Sequence, residues 1–143
     1  MSRVNWGRWA LGGLVASVIA FFTDGFLHEV LIHEQWEELL ARLQLAPAEQ
    51  EHVSSDLFYF ALFDLGRGFV TMFLYVMMRA RLGPGPKTAA WAGVAAWAAF
   101  SLTCPAQFIP LGFFSVELWW RAGAFQLVTS ILAALAGAWL YRE

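Results

Sequence analysis

Residues 9–28 read WALGGLVASVIAFFTDGFLH. No charged side chain occurs between Trp9 and Thr23, and the apolar residues fall on every side of a helix rather than along one stripe. A run of roughly 20 residues that is apolar all round is the mark of a membrane span, since a surface helix would show one polar face. Three further runs of the same kind follow, at 57–78, 88–109 and 116–141. The chain has 143 residues, of which 59% are apolar and 14% charged, against about a quarter charged in soluble domains. The mean hydropathy of +0.56 points the same way. The sequence therefore predicts an all-α, polytopic transmembrane four-helix bundle, one domain over 1–143, with lipid as its main solvent.

Arg3 and Arg8 before an apolar stretch, with Val18, Ile19 and Ala20 at a possible cleavage position, also have the features of a signal peptide; we read the segment as the first span. Charge sets the expected orientation. Arg3, Arg8, Arg79, Arg81, Lys87 and Arg142 fall at one end of alternating helices. The other end carries Glu29, Glu34, Glu37, Glu38, Glu49, Glu51, Asp56 and Glu117, opposed only by Arg42 and Arg121. An excess of Lys and Arg marks the cytoplasmic side, so both termini are expected there, in a cell membrane of the bacterial inner-membrane kind. Residues 44–54 then form the outer connection. Ser54 or Ser55 is expected to cap the second helix, and Ser115 the fourth. Pro105 and Pro110 should kink or end the third.

The stretch 21–39, FFTDGFLHEVLIHEQWEEL, holds the first polar cluster. HEVLIH differs from the zinc-protease pattern by one residue: His28 and His33 are five apart and diverge by about 140° on a continuous helix, which disfavours a shared metal. One stripe instead runs Gly13, Ser17, Ala20, Asp24, His28, Leu31 and Gln35, with small residues that permit close helix contact. Glu29, His33 and Glu37 lie opposite, as a solvated or headgroup-facing surface.

On the second span Asp56, Phe60, Asp64, Arg67, Thr71 and Leu74 share a face. Burying an unpaired charge at the bilayer centre costs at least about 2.5–3.5 kcal/mol, so the two polar stripes are expected to face each other. Asp24, His28, Asp64 and Arg67 become the candidate ligand- or ion-binding residues. Two carboxylates against one arginine leave a negative charge, removed only by protonating His28 or one Asp, or by a cation. Secondary candidates are Gln126, on the small and polar stripe Gly123, Gln126, Ser130, Ala133 and Gly137, and the pair Glu117 and Arg121. The latter reads more readily as interfacial anchoring beside Trp119 and Trp120. Cys104, the single cysteine, is expected as a small core residue.

The glycine- and alanine-rich first span, HEQWEELL at 33–40, the short acidic loop and GAFQLVTSILAALAGAWL at 123–140 give the chain its layout. In that layout it resembles a group of small bacterial four-span membrane proteins catalogued as a domain of unknown function. The resemblance implies architecture only, and it departs at TDGFLHE, where that group carries a tyrosine-proline step.

Two functional expectations follow. One is a structural or accessory subunit of a larger membrane complex, or a homo-oligomer. The other is an ion-, proton- or small-ligand-binding protein, transporter-like or enzymatic, using the polar cluster from the outer side. Haem ligation by His28 with His33 or His52 is a weaker branch of the second. Within the spans no Ser or Cys has a histidine at helical spacing, which argues against nucleophilic catalysis there. There is no basic stripe for nucleic acid.

Overall fold

A computed structural model describes residues 4–42 and 53–141. Four helices are long and apolar enough to cross a membrane, spanning Trp6–Leu31, Leu57–Leu82, Pro86–Ala106 and Val116–Leu140. No strand occurs among the described residues. In chain order, α1 is Trp6–Phe26, continued by a π turn at Leu27–Leu31, and α2 is His33–Arg42. Then come α3 (Val53–Leu82), α4 (Pro86–Trp97), a second π turn at Ala98–Thr103, a short α5 (Cys104–Ala106) and α6 (Val116–Leu140).

The long helices close into a ring in which α1 packs on α3 and α6, and α4 packs on α3 and α6. Glycine makes the contacts close. A methyl group on Gly12 would lie 2.7 Å from the Gly137 carbonyl oxygen, and one on Gly137 would lie 2.7 Å from that of Gly12. A methyl group on Gly93 of α4 would lie as close to Ser130 O of α6, at 2.7 Å. Between α1 and α3, Gly68 faces Ser17 so tightly that a Cβ would overlap the serine hydroxyl and amide. The Ser17 hydroxyl proton is shared between Gly13 O at 2.8 Å and Leu65 O at 3.1 Å. Without a hydrophobic force between spans in lipid, such backbone approach is what holds them together. Ala89, Ala92 and Ala96 of α4 are buried on the same principle.

One end of the ring is basic and brings Asn5 beside Tyr141. The Asn5 amide donates to the Tyr141 hydroxyl at 3.2 Å, Arg8 Nη1 donates to Leu140 O at 3.3 Å, and the Arg79 guanidinium sits 5.2 Å from the Tyr141 ring centre. The other end is acidic and is covered by α2, which folds back over α6. Leu27, Ile32, Leu39 and Leu118 form a small buried cluster there with Trp36 and Phe125 against it. Arg42 Nη2 fastens α2 by donating to Gly112 O at 2.7 Å and Phe113 O at 3.2 Å.

Several local expectations change. Val53–Leu82 is helical throughout, so Ser54 and Ser55 lie inside α3 rather than ahead of its first residue; the rest of the expected connection, 44–52, lies outside the described residues. Ser115 does cap α6, accepting from the Leu118 amide at 3.1 Å. Pro105 acts one turn earlier than its own position. Its missing N–H and its ring disturb the preceding turn, and the backbone opens into the π turn 98–103, where the Thr103 hydroxyl donates to Ala98 O at 2.6 Å. Cys104, just beyond it, is exposed rather than a core residue. Leu31, expected on the inner stripe, is 45% exposed, while Ile32 is 3% exposed. The π turn adds one residue to the helix, so the buried positions step from Leu27 to Ile32 by five.

Candidate functional site

Asp24 and Asp64 each lie seven residues from the acidic end of their span, about 10 Å along the axis, and Arg67 and Gln126 about 15 Å. The four therefore occupy one level of the ring. The polar stripes of α1 and α3 meet. Arg67 Nη1 donates to Asp24 Oδ2 at 2.7 Å, and Arg67 Nη2 stands 3.5 Å from Asp64 Oδ1. Gln126 of α6, a secondary candidate in the sequence, donates through Nε2 to the same Asp24 Oδ2 at 3.2 Å. Three helices thus converge on one carboxylate oxygen.

The burial is uneven. The side chains of Arg67 and Asp64 are 7% and 5% exposed, that of Asp24 16%. Thr71, one turn beyond Arg67, donates back to its carbonyl at 2.8 Å and stays out of the cluster. Asp24 Oδ1 and Asp64 Oδ1 are buried without a hydrogen-bond partner, the 3.5 Å approach of Arg67 to Asp64 being an ion contact only. Each buried acceptor of this kind costs about 1–3 kcal/mol, more where the group is charged. The formal charge of the group is −1, from two carboxylates and one guanidinium. In an apolar surround that imbalance favours uptake of a positive charge or an additional donor.

His28 joins by a route the sequence did not suggest. Its Nδ1–H donates to the Asp24 backbone oxygen at 2.8 Å, not to the carboxylate. A carbonyl can only accept, so Nδ1 carries a proton. The reason is local: at the entry to the π turn the ring supplies a donor to the carbonyl one turn back. The ring is half-buried, edge-on to Trp36 at 4.9 Å between centroids and 6.4 Å from Phe60, so it stands between the cluster and the acidic end.

The remaining candidates are peripheral. His33 Nε2 lies 3.4 Å from Glu37 Oε1 on the exposed face of α2, and His52 lies outside the described residues. The helix through His28 and His33 is interrupted, not continuous as the spacing argument assumed. Among the described residues no three His, Cys, Asp or Glu side chains come together to hold a metal ion. Glu117 and Arg121 form an exposed i, i+4 pair at 2.9 Å. With Gln35, Glu38, Arg42 and Ser115 they line a shallow polar cleft of about 350 Å³ between α2 and α6. Trp119, read as an anchor, also donates through Nε1 to Leu102 O of the second π turn at 3.0 Å. Comparisons with protein-family models, curated proteins and solved structures gave no match to this chain.

Proposed function

We propose that this chain is a multipass membrane protein whose four-helix ring takes up one positive charge at the Asp24–Arg67–Asp64–Gln126 cluster, in the manner of an ion- or proton-binding transporter-like protein. The observation that carries the reading is a buried carboxylate, Asp64, 5% exposed and without a hydrogen bond at Oδ1, beside an Asp24–Arg67 pair that is already neutral by itself. A bundle-register device would need that pair alone. The second acid adds charge that a purely structural role leaves uncompensated.

On this reading the basic end, with Arg8, Arg79, Arg81 and Lys87, faces the cytoplasm of a bacterial inner membrane, and His28 and α2 face outward. The resemblance to the four-span group of unknown function bears on the architecture only and adds no activity.

The test is reconstitution into vesicles carrying an internal pH dye, with proton or sodium gradients imposed. Flux or gradient-dependent binding that is lost in Asp24→Asn and Asp64→Asn, with both variants still folded, supports the proposal. Wild-type behaviour of both variants would sink it.

A second reading has its own observation. Residues 57–63 of α3 are exposed at every position, including Phe58 at 63% and Tyr59 at 67%, with only ring contacts at Phe60 and Phe63 to other helices among the described residues. An accessory subunit or homo-oligomer would use such a segment. Native mass spectrometry from mild detergent distinguishes the two: a defined assembly, with wild-type stability in the Asp variants, would favour the second.

A further inference from the structure

The two carboxylates of the cluster are not equivalent, and the inequality identifies the charge they take up. Asp24 Oδ2 receives two N–H donors, from Arg67 at 2.7 Å and Gln126 at 3.2 Å. Direct N–H donation stabilises the ionised form of a carboxyl group. Among the described residues Asp64 has only the 3.5 Å approach of Arg67 Nη2, and its Oδ1 has no hydrogen bond. Few charged or titratable groups face it. From α1 come Asp24 and the half-buried His28, from α3 Arg67, and from α6 the neutral Gln126. α4 offers no charged side chain between Thr88 and Ala106.

What the cluster lacks is a donor. Asp24 Oδ1 is a buried acceptor with nothing to accept, and Arg67 cannot supply more than its geometry allows. A proton added to Asp64 creates an O–H beside the guanidinium that both carboxylates share. In the same step it brings the cluster from −1 to neutral. A metal cation would also neutralise the charge. However, it would need a set of oxygen or nitrogen ligands, and the described His, Cys, Asp and Glu residues do not assemble in threes.

We propose that the positive charge is a proton and that Asp64 carries it, while Asp24 remains ionised as the counter-ion of Arg67. This rests on the reading that the cluster takes up one positive charge. The step is a simple protonation: water at the acidic end gives up a proton, Asp64 carboxylate becomes a carboxylic acid, and no electrons move. His28, one turn beyond Asp24, stands on the approach from that end.

The experiment uses the full chain in native-like membranes with dicyclohexylcarbodiimide, an apolar reagent that adds to protonated carboxyl groups in apolar surroundings. Adducts are located by peptide mass spectrometry across a pH series. The expected result is a dominant adduct on Asp64 whose yield falls as pH rises, absent from Asp64→Asn and retained in Asp64→Glu. A dominant adduct on Asp24 would overturn the assignment while leaving the site reading intact. So would no adduct on either residue combined with a melting temperature raised by sodium but not by choline, which would make the ligand a metal cation. Absence of both adduct and ion dependence would overturn the assignment and the site reading together. An infrared spectrum that loses a protonated-carboxyl band in Asp64→Asn, at unchanged helix content, checks the result if that variant reacts poorly.

Discussion

Arg67 of α3 and Gln126 of α6 donate to the same atom, Asp24 Oδ2 of α1, so one oxygen ties three of the four spans. The two donors are unequal in consequence. Arg67→Leu leaves two buried carboxylates without a cation and should cost about 3–5 kcal/mol. Gln126→Leu removes one bond to a charged acceptor and should cost about 1.5–3 kcal/mol. Thermal midpoints in detergent rank them. Adding Asp24→Asn and Asp64→Asn to Arg67→Leu should recover most of the loss; no recovery would mean that Arg67 acts through packing.

Glu117 and Arg121 offer the contrast. Their 2.9 Å pair is shorter than the Arg67–Asp64 contact, yet the side chains are 72% and 54% exposed. Solvent screening reduces such a pair to about 0.2–1 kcal/mol. Arg121→Gln should therefore shift the thermal midpoint little, and a shift as large as that of Arg67→Leu would show that the polar cleft beside α2 matters more than its exposure implies.

Glycines two residues apart on α3, and so on different faces, should respond in opposite directions. A Cβ at Gly68 would meet the hydroxyl and amide of Ser17 and the Gly13 carbonyl, whereas at Gly66 it would meet nothing within 4 Å. Gly68→Ala should separate α1 from α3 and cost about 1–3 kcal/mol. Gly66→Ala should gain about 0.5–1 kcal/mol from helix propensity. Because Asp24 and Arg67 face each other across the same contact, Gly68→Ala should also weaken the pair, seen as altered carbodiimide labelling.

The π turn at Leu27–Leu31 contains one residue beyond a regular helix. Val30, 60% exposed, can be deleted without removing a buried side chain. The shortened helix should keep Leu27 and the former Ile32 on one face, now four apart, and the chain should fold with α2 still over α6. The change should be local, at the His28 ring. A collapse of helix content by circular dichroism would show that the turn sustains the fold and does not merely adjust it.

Orientation can be read from the single cysteine. Cys104 is exposed at the acidic end, and Lys87 is exposed at the basic end. In intact cells a membrane-impermeant maleimide should label the native chain and fail to label Cys104→Ser carrying Lys87→Cys. The reverse pattern would invert the proposed topology.

The spans were legible because each is long and apolar all round, and the facing stripes were legible because small and polar residues recur at three and four. Ser17, Ala20 and Asp24 on one helix, and Asp64, Arg67 and Thr71 on the other, follow that period, and the two helices meet through Ser17 with Leu65 O and Asp24 with Arg67. What failed were positions where the period itself changes. Leu31 was placed inward by counting 3.6 residues per turn through a segment that turns more slowly, and nothing in LHEVL marks the change. Pro105 did signal a disturbance, but its effect falls on 98–103, and with it Cys104 moves to the surface. Ser54 and Ser55 have the chemistry of caps, yet the helix runs past them to Val53. The engagement of His28 with a backbone oxygen depends on the same π turn and was hidden for the same reason.

The ring closes between its first and last members, where Gly12 meets Gly137 and the Asn5 amide meets Tyr141. This closure sets an order of assembly. Asp24 and Arg67 belong to the first two spans made, so their charges can be paired as soon as α3 lies beside α1, before any membrane crossing bears one alone. Gln126 arrives with the final helix. Until α6 locks onto α1, the carboxylate has one donor and an open side. The finished polar level is therefore a product of the last insertion event, and a chain truncated before α6 would hold the charge pair without its second donor.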